Sequence, residues 1–460
     1  MKHSPWFTGW FLLVLTSWGV PVLWGQAAKP ATPPARPTPE NNSSVILLKE
    51  GRSEGVRAKA AHDLGREADP ATIPALAAAL SDPSAKVRRE VMLALDQFHQ
   101  SQVLPPLIQA TKDQDGDLRV LAVQSLVGFY SGAMPNTGLT GFMKKNVQRV
   151  RGHFEVDNTR IDPGITVDPA VTTALVATLK DIRASQAARE AAKGLGTLLA
   201  APAVPDLVNA AHSSDVDLAR EALNALAKIR DRTAGPHLVD LLDSPNKDVR
   251  HDACITIGIL RTNEALPKLQ WIFENAADPK EKVGAVQGLA YLGDKVSVPL
   301  FTKALWNDNK EIRQAAAEGL ARAADPQSQG ELEKAISAEK DAEVRLAIEF
   351  ALTALGKQDE LASLVSDLGS RTRGDVARSY LTELARDPAF LPKLYPYLQS
   401  SDAGVRKGLC EVLMYSGDQG SLEPLDRLGH DRDSDVTAEA LRAKRAIRLR
   451  LGVQAPPAAP

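Results

Sequence analysis

Arginine recurs at one phase along this chain, at Arg57, Arg88, Arg119, Arg250, Arg313, Arg345 and Arg406. A guanidinium presents a planar fork of donors to a carboxylate or phosphate, so a row of them has the chemistry of an anion-binding stripe. Acidic residues stand just before several of these arginines, at Asp117, Asp248, Glu311 and Glu343. Because the acids recur with the bases, the pattern reads first as a ladder of ion pairs and carbonyl contacts between neighbouring repeats. The anion stripe is the second reading.

Other chemistry-bearing residues are sparse. His153, Glu155 and Asp157 alternate, and in a strand they would point the same way. Three such side chains fall short of a defined coordination sphere, so no metal or cofactor is expected. His212 and Asp215 flank two serines, but triad members meet by folding and not by adjacency. The chain has no His-Glu-x-x-His, Cys-x-x-Cys, Gly-x-Ser-x-Gly or phosphate loop, and no catalytic residue is expected. Its two cysteines, Cys254 and Cys410, sit at equivalent apolar positions five repeats apart. That separation is on the order of 50 Å at the usual helix-layer spacing, so they are expected as buried free thiols.

These side chains are carried by a repeating element. If the residue before each arginine is taken as an anchor, anchors fall at Val56, Val87, Leu118, Ala187, Leu218, Val249, Val283, Ile312, Val344, Val376, Val405 and Val436. Successive anchors are 29 to 34 residues apart, except for 69 between Leu118 and Ala187. So regular a period is the signature of a stacked array. Eight residues beyond the anchor stands a large apolar side chain in every repeat but the last, which has Lys444. Four beyond it the residue is usually small, as in Ala60, Ala122, Ala191, Ala222, Ala253, Ala316 and Ala440. Offsets of four and eight share one helical face.

A second helix follows each of these anchor helices, and it often opens on proline: Pro74, Pro105, Pro205, Pro236 and Pro267. Proline suits the first helical turn, where its missing N–H has no partner to lose. Turns rich in Asp and Asn, such as 113–117 and 243–246, supply caps for the next helix. The expected fold is all-α, an α-solenoid of about twelve stacked hairpins over residues 48–450, each anchor helix pairing with the proline helix after it. The last anchor segment, 436–452, is rich in Arg and Ala and would make a polar end cap.

The pattern V-R-x-x-A-x-x-x-L, turn, P-x-L, D resembles HEAT repeats, closest to the short bacterial type also found in bilin lyases. The resemblance covers residues 48–450 and implies a binding platform. Deoxyhypusine hydroxylases share such arrays but hold iron through His-Glu steps, and this chain has no His-Glu dipeptide.

Residues 131–167 break the period and form an insertion within the third repeat. It carries Phe142, Lys144, Lys145, Arg149, Arg151 and His153, a basic and aromatic set suited to a partner contact. A lid on the solenoid, or one degenerate extra repeat, accounts for it equally.

Residues 1–27 have a positive start, an apolar stretch from Trp6 to Trp24 and small residues at Gly25 and Ala27. This is the order of a secretory signal peptide cleaved after Ala27. Left uncleaved, it would tether the protein to a membrane. Residues 28–47 are a proline-rich linker, and 451–460 a disordered tail. Localisation is therefore expected in the periplasm or cell envelope, or in the medium. With 57 acidic against 55 basic residues, nothing favours a nucleic-acid partner.

The expected function is a non-enzymatic scaffold that binds another protein on the concave face. The proline helices would line that face and offer Trp271, Trp306, Tyr395 and Tyr397, with the insertion adding specificity. An envelope assembly factor for peptidoglycan or lipid, and an enzyme or metal-binding protein with its site in the insertion, are the alternatives.

Overall fold

The computed structural model describes residues 42–132, 160–181 and 185–452. There is no strand among the described residues. The described helices pair into twelve hairpins. The first four are α1 (Ser43–Glu50) with α2 (Glu54–Glu67), α3 (Ile73–Ala79) with α4 (Ala85–Leu95), α5 (Leu104–Ala110) with α6 (Gly116–Ser131), and α7 (Pro169–Leu179) with α8 (Ser185–Thr197). The next four are α9 (Val204–Ala211) with α10 (Val216–Ile229), a 3₁₀ segment (Arg232–Asp243) with α11 (Lys247–Ile259), α12 (Leu266–Asn275) with α13 (Pro279–Leu292), and α14 (Val298–Ala304) with α15 (Lys310–Ala323). The last four are α16 (Gln329–Ala338) with α17 (Ala342–Ala354), α18 (Gln358–Ser366) with α19 (Gly374–Leu384), α20 (Leu391–Leu394) and its 3₁₀ extension (Tyr395–Gln399) with α21 (Ala403–Ser416), and α22 (Leu422–Leu428) with α23 (Ser434–Leu451).

Twelve hairpins match the number expected, but their phase differs. Anchor helices close hairpins with the proline helix before them, not the one after; α17 alone among the described helices touches the helix after it more. The cause is the short capped turn. Asp115, Asp215, Asn246, Asp341 and Asp433 each accept amide hydrogens at the start of an anchor helix. Such caps are worth about 1 kcal/mol each, and they hold the two helices of a pair tightly together. The break at 131–167 therefore falls between the third and fourth hairpins.

The offset-four alanines and most offset-eight leucines are buried as expected, including Ala60, Ala122, Ala191, Leu64, Leu195 and Leu320. Each leucine so buried contributes ~2 kcal/mol of transfer free energy. Small residues bring anchor helices close together. A Cβ on Gly258 would lie 2.2 Å from the Gly288 carbonyl oxygen, so α11 and α13 meet backbone to backbone.

Most anchor helices of successive hairpins touch along much of their length, the exceptions being α4 with α6 and α17 with α19, whereas successive proline helices touch little. In a curved stack the more closely packed layer lies inside. Anchor helices two hairpins apart also meet, as when Arg322 Nε on α15 donates to Glu383 Oε1 on α19 at 2.9 Å. The concave face is therefore lined by anchor helices, which corrects the assignment of that face to the proline helices.

The curl brings distant parts of the chain together. Residues 160–167 lead into α7. There Ile161 N–H donates to the Thr197 carbonyl at the end of α8 (3.0 Å). Asp162 takes a two-pronged contact from Arg442 on α23, at 2.7 and 2.5 Å, across 280 residues of sequence. Gly164, at φ +89°, passes so close that a Cβ would lie 2.6 Å from Leu449 Cβ. This strap ties the fourth hairpin to the twelfth.

The end of the array is less polar than its sequence implied. Lys444 reaches Asp426, but Leu441, Leu449 and Leu451 are exposed.

Candidate functional site

Both classes of arginine in this molecule lie at the ends of anchor helices. At the N-terminal ends runs the ladder. Arg88 Nη1 donates to the Asp82 carbonyl of its own turn (2.9 Å), while its Nε and Nη2 grip Asp113 in the next hairpin's turn at 2.7 and 2.9 Å. Arg57 with Asp82, Arg313 with Glu339 and Arg406 with Asp431 repeat this clasp. Arg250 pairs likewise with Glu281. The first reading of these arginines stands, with one revision: their partners lie in the following turn, not just before them. Asp248 and Glu343 pair instead with Lys280 and Lys310. The Arg57, Arg313 and Arg406 hydrogen bonds hold Asp82, Glu339 and Asp431 below the usual carboxylate range. Arg119, beside the insertion, is an exception, since it reaches only carbonyls of its own turn.

At the C-terminal ends the inner face carries a different cluster. Its centre is Arg322 on α15, whose side chain is only 6% exposed. It bridges Glu318 (3.2 Å) and Glu383 (2.9 Å) and stacks 4.4 Å from the Tyr291 ring centroid. Burial opposes its charge, but Glu383 and Glu318 more than offset that, so its pKa is raised. Tyr380 donates to Glu318 at 2.5 Å and stacks on Phe350 with centroids 4.4 Å apart.

Around this satisfied core stand three further arginines: Arg230 at the end of α10, Arg386 just past α19, and Arg160 on the strap. None of them has a hydrogen bond or ion pair with a described residue. Burial, followed by repulsion from Arg386 and Arg160, pushes Arg230 down to about 10. Burial also lowers Arg160, which lies 5.6 Å from the Tyr415 ring centroid and feels Arg386. Arg230 and Arg386 nevertheless keep substantial contact with water. Helix C-termini favour cations by about 0.3–1 kcal/mol, so their position supports some of this charge.

The residues singled out from sequence are distributed as follows. Phe142, Lys144, Lys145, Arg149, Arg151 and His153 lie outside the described residues, as do Glu155 and Asp157. Trp271 on α12 and Trp306 just past α14 are 57% and 50% exposed, on consecutive hairpins. Both belong to the outer layer. Trp306 donates to Glu331 and borders a surface groove of about 560 Å³ with Lys303 and Thr302. Tyr395 and Tyr397 are half-buried against the core, and the Tyr395 hydroxyl lies 3.1 Å from Ser421 Oγ. His212 faces Asp240 at 3.1 Å, while Asp215 serves Arg189 and a helix cap, so no triad forms. Cys254 and Cys410 are buried free thiols, as expected, and burial pushes each up to about 12. No described helix is long and apolar enough to cross a membrane.

Sequence reasoning missed the inner cluster. Glu318, Phe350 and Arg442 stand six residues after an anchor, and Arg322, Arg386 and Tyr415 stand ten after one. A polar and aromatic run at those offsets was the available signal.

Stacked helical hairpins coiled around an inner face define an α-solenoid. The chain belongs to the HEAT-repeat family: a family model for HEAT repeats matches residues 45–127, 172–258, 204–280 and 266–353. No curated protein matches the chain. Among solved structures it is similar to an engineered protein, at 19% identity over 88% of this chain and 99% of that one, with a TM-score of 0.37. It is similar to the CpcE–CpcF complex of phycocyanin lyase from Nostoc sp. PCC7120, at 19% identity over 55% and 94%, with a TM-score of 0.35. It is also similar to the karyopherin Kap121p bound to the extreme C-terminus of the protein phosphatase Cdc14p, at 13% identity over 89% and 50%, with a TM-score of 0.39.

Proposed function

We propose that this protein is an exported, non-enzymatic scaffold of the cell envelope that binds another protein. HEAT-type arrays expose large continuous surfaces and suit that work. The observation that carries the reading is the pair of exposed tryptophans, Trp271 and Trp306, on adjacent hairpins. Tryptophan is enriched among residues that dominate binding energy, and it is costly to leave in water. The partner is taken on this outer edge, and residues 131–167 add specificity.

The test is affinity purification from cell envelopes with three forms: the intact chain, Trp271→Ala/Trp306→Ala, and a chain lacking 133–159. One stoichiometric protein captured by the intact chain and lost in the tryptophan variant is the expected result. Recovery of glycan, lipid or metal in place of a protein would overturn the scaffold. N-terminal sequencing of the mature protein tests export, with Ala28 expected first.

A further inference from the structure

We propose that the inner face is a second binding surface, where Arg160, Arg230 and Arg386 receive a short acidic segment of the partner protein. The proposal rests on the scaffold reading and adds to it the chemistry of the ligand.

Three guanidiniums within electrostatic reach of one another repel. They come from three separate places in the chain: the end of α10, the residue past α19, and the strap. Among the described residues Glu383 is the carboxylate that Arg230 feels, and Arg322 already holds it in a two-pronged contact at 2.9 and 3.1 Å. Glu318 is likewise taken by Arg322 and Tyr380. Four arginines against two glutamates leave two positive charges without a counter-ion among these residues. At Arg57, Arg88, Arg313 and Arg406 on the ladder the same side chain meets a carboxylate from the next turn. Here no described residue supplies that carboxylate, and water reaches Arg230 and Arg386, so an external anion has access.

The size of the imbalance selects the ligand. Two neighbouring carboxylates neutralise it. A nucleic acid carries a charge at every residue and would run into Glu318, Glu383 and Asp162 around the site. The Tyr291 and Tyr415 rings flank the arginines and would pack against the aliphatic part of a peptide.

The test uses the mature chain and a fluorescein-labelled tetraglutamate peptide, followed by anisotropy at low and physiological ionic strength. Tetraglutamine is the uncharged control. Arg427→Gln, on the exposed face of α22, controls for loss of charge elsewhere. Tetraglutamate is expected to bind and tetraglutamine not. Arg230→Gln and Arg386→Gln are each expected to weaken binding about tenfold. Arg427→Gln is expected to leave it unchanged. Thermal unfolding guards against misfolding: Arg230→Gln is expected to melt no lower than the parent, because it removes repulsion.

Absence of tetraglutamate binding, or equal binding by parent, Arg230→Gln and Arg386→Gln, overturns the proposal. Competition by inorganic phosphate as strong as that by tetraglutamate also overturns it, in favour of a free-oxyanion site. Failure of the scaffold gives a different result. Envelope extracts would then yield no partner although tetraglutamate still binds. If the arginine site alone is wrong, a partner is captured undiminished by Arg230→Gln/Arg386→Gln and the peptide does not bind.

Discussion

The two ends of the anchor helices place the same side chain in opposite circumstances. At the N-terminal ends, Arg88 spans two turns and each of its nitrogens meets an acceptor at 2.7–2.9 Å. At the C-terminal ends, Arg230 faces Arg160 and Arg386 and pairs with no carboxylate among the described residues. The ladder arginine knits one hairpin to the next. The inner arginine is repelled by its neighbours, and no described residue takes its donors. Residue type therefore decides little here, and the presence of a partner in the adjacent turn decides the role.

Breaking the ladder has the largest expected effect. Arg88→Ala leaves Asp113 covered but unpaired, with side-chain exposures of 5% and 7% in the parent pair. Loss of a buried partner costs about 3–5 kcal/mol, and nearby solvent at the rim brings the expectation to about 3 kcal/mol by urea denaturation. Acid weakens the ladder as well. Asp82, Glu339 and Asp431 have folded pKa values below their unfolded ones. Their stabilisation is full above the unfolded values near 4 and is lost as pH falls through the lower folded values. Denaturation midpoints are expected to drop between about pH 5 and about pH 2.

Asp96 sharpens the comparison with the opposite charge. It follows α4 at the same helix end as the inner cluster, and its one side-chain partner is Ser125 Oγ at 3.0 Å. Burial raises it to about 7, and the Ser125 hydrogen bond opposes this. A carboxyl whose folded pKa lies above its unfolded value is destabilising when charged, so the penalty is full above about pH 7 and fades toward pH 4. Asp96→Asn is expected to stabilise the protein by about 2 kcal/mol at pH 8 and by progressively less as the pH falls. Equal gains at pH 8 and pH 5 would contradict this.

The strap gives the smallest effect on stability. The Asp162–Arg442 pair is partly exposed, so Asp162→Asn costs under about 1 kcal/mol. It frees the fourth hairpin from the twelfth, and small-angle scattering is expected to show a larger radius of gyration.

Much of the fold was legible in the residues. Alanine at offset four and leucine at offset eight marked the buried face, and the equivalent positions of Cys254 and Cys410 marked free thiols. Hairpin phase was not legible, because a period of about 31 residues is the same whichever neighbour a helix pairs with. The capped turns before most anchor helices settle it. Nor was the concave layer, which depends on how closely helices approach at places such as Gly258 and Gly288. The inner arginines were hidden for a related reason. Arg160, Arg230 and Arg386 are far apart in sequence and meet only when the coil closes. Trp271 and Trp306 were found by type alone, and they lie exposed on the outer layer, not on the concave face.

The most direct test of the central claim pairs Arg88→Gln with Arg230→Gln and measures thermal midpoint and tetraglutamate affinity for both. The expected result is a crossed pattern. Arg88→Gln melts lower and binds as the parent does, while Arg230→Gln melts no lower and binds about tenfold more weakly. If both variants lose stability alike and neither changes binding, the inner arginines are structural and the distinction between the two helix ends fails.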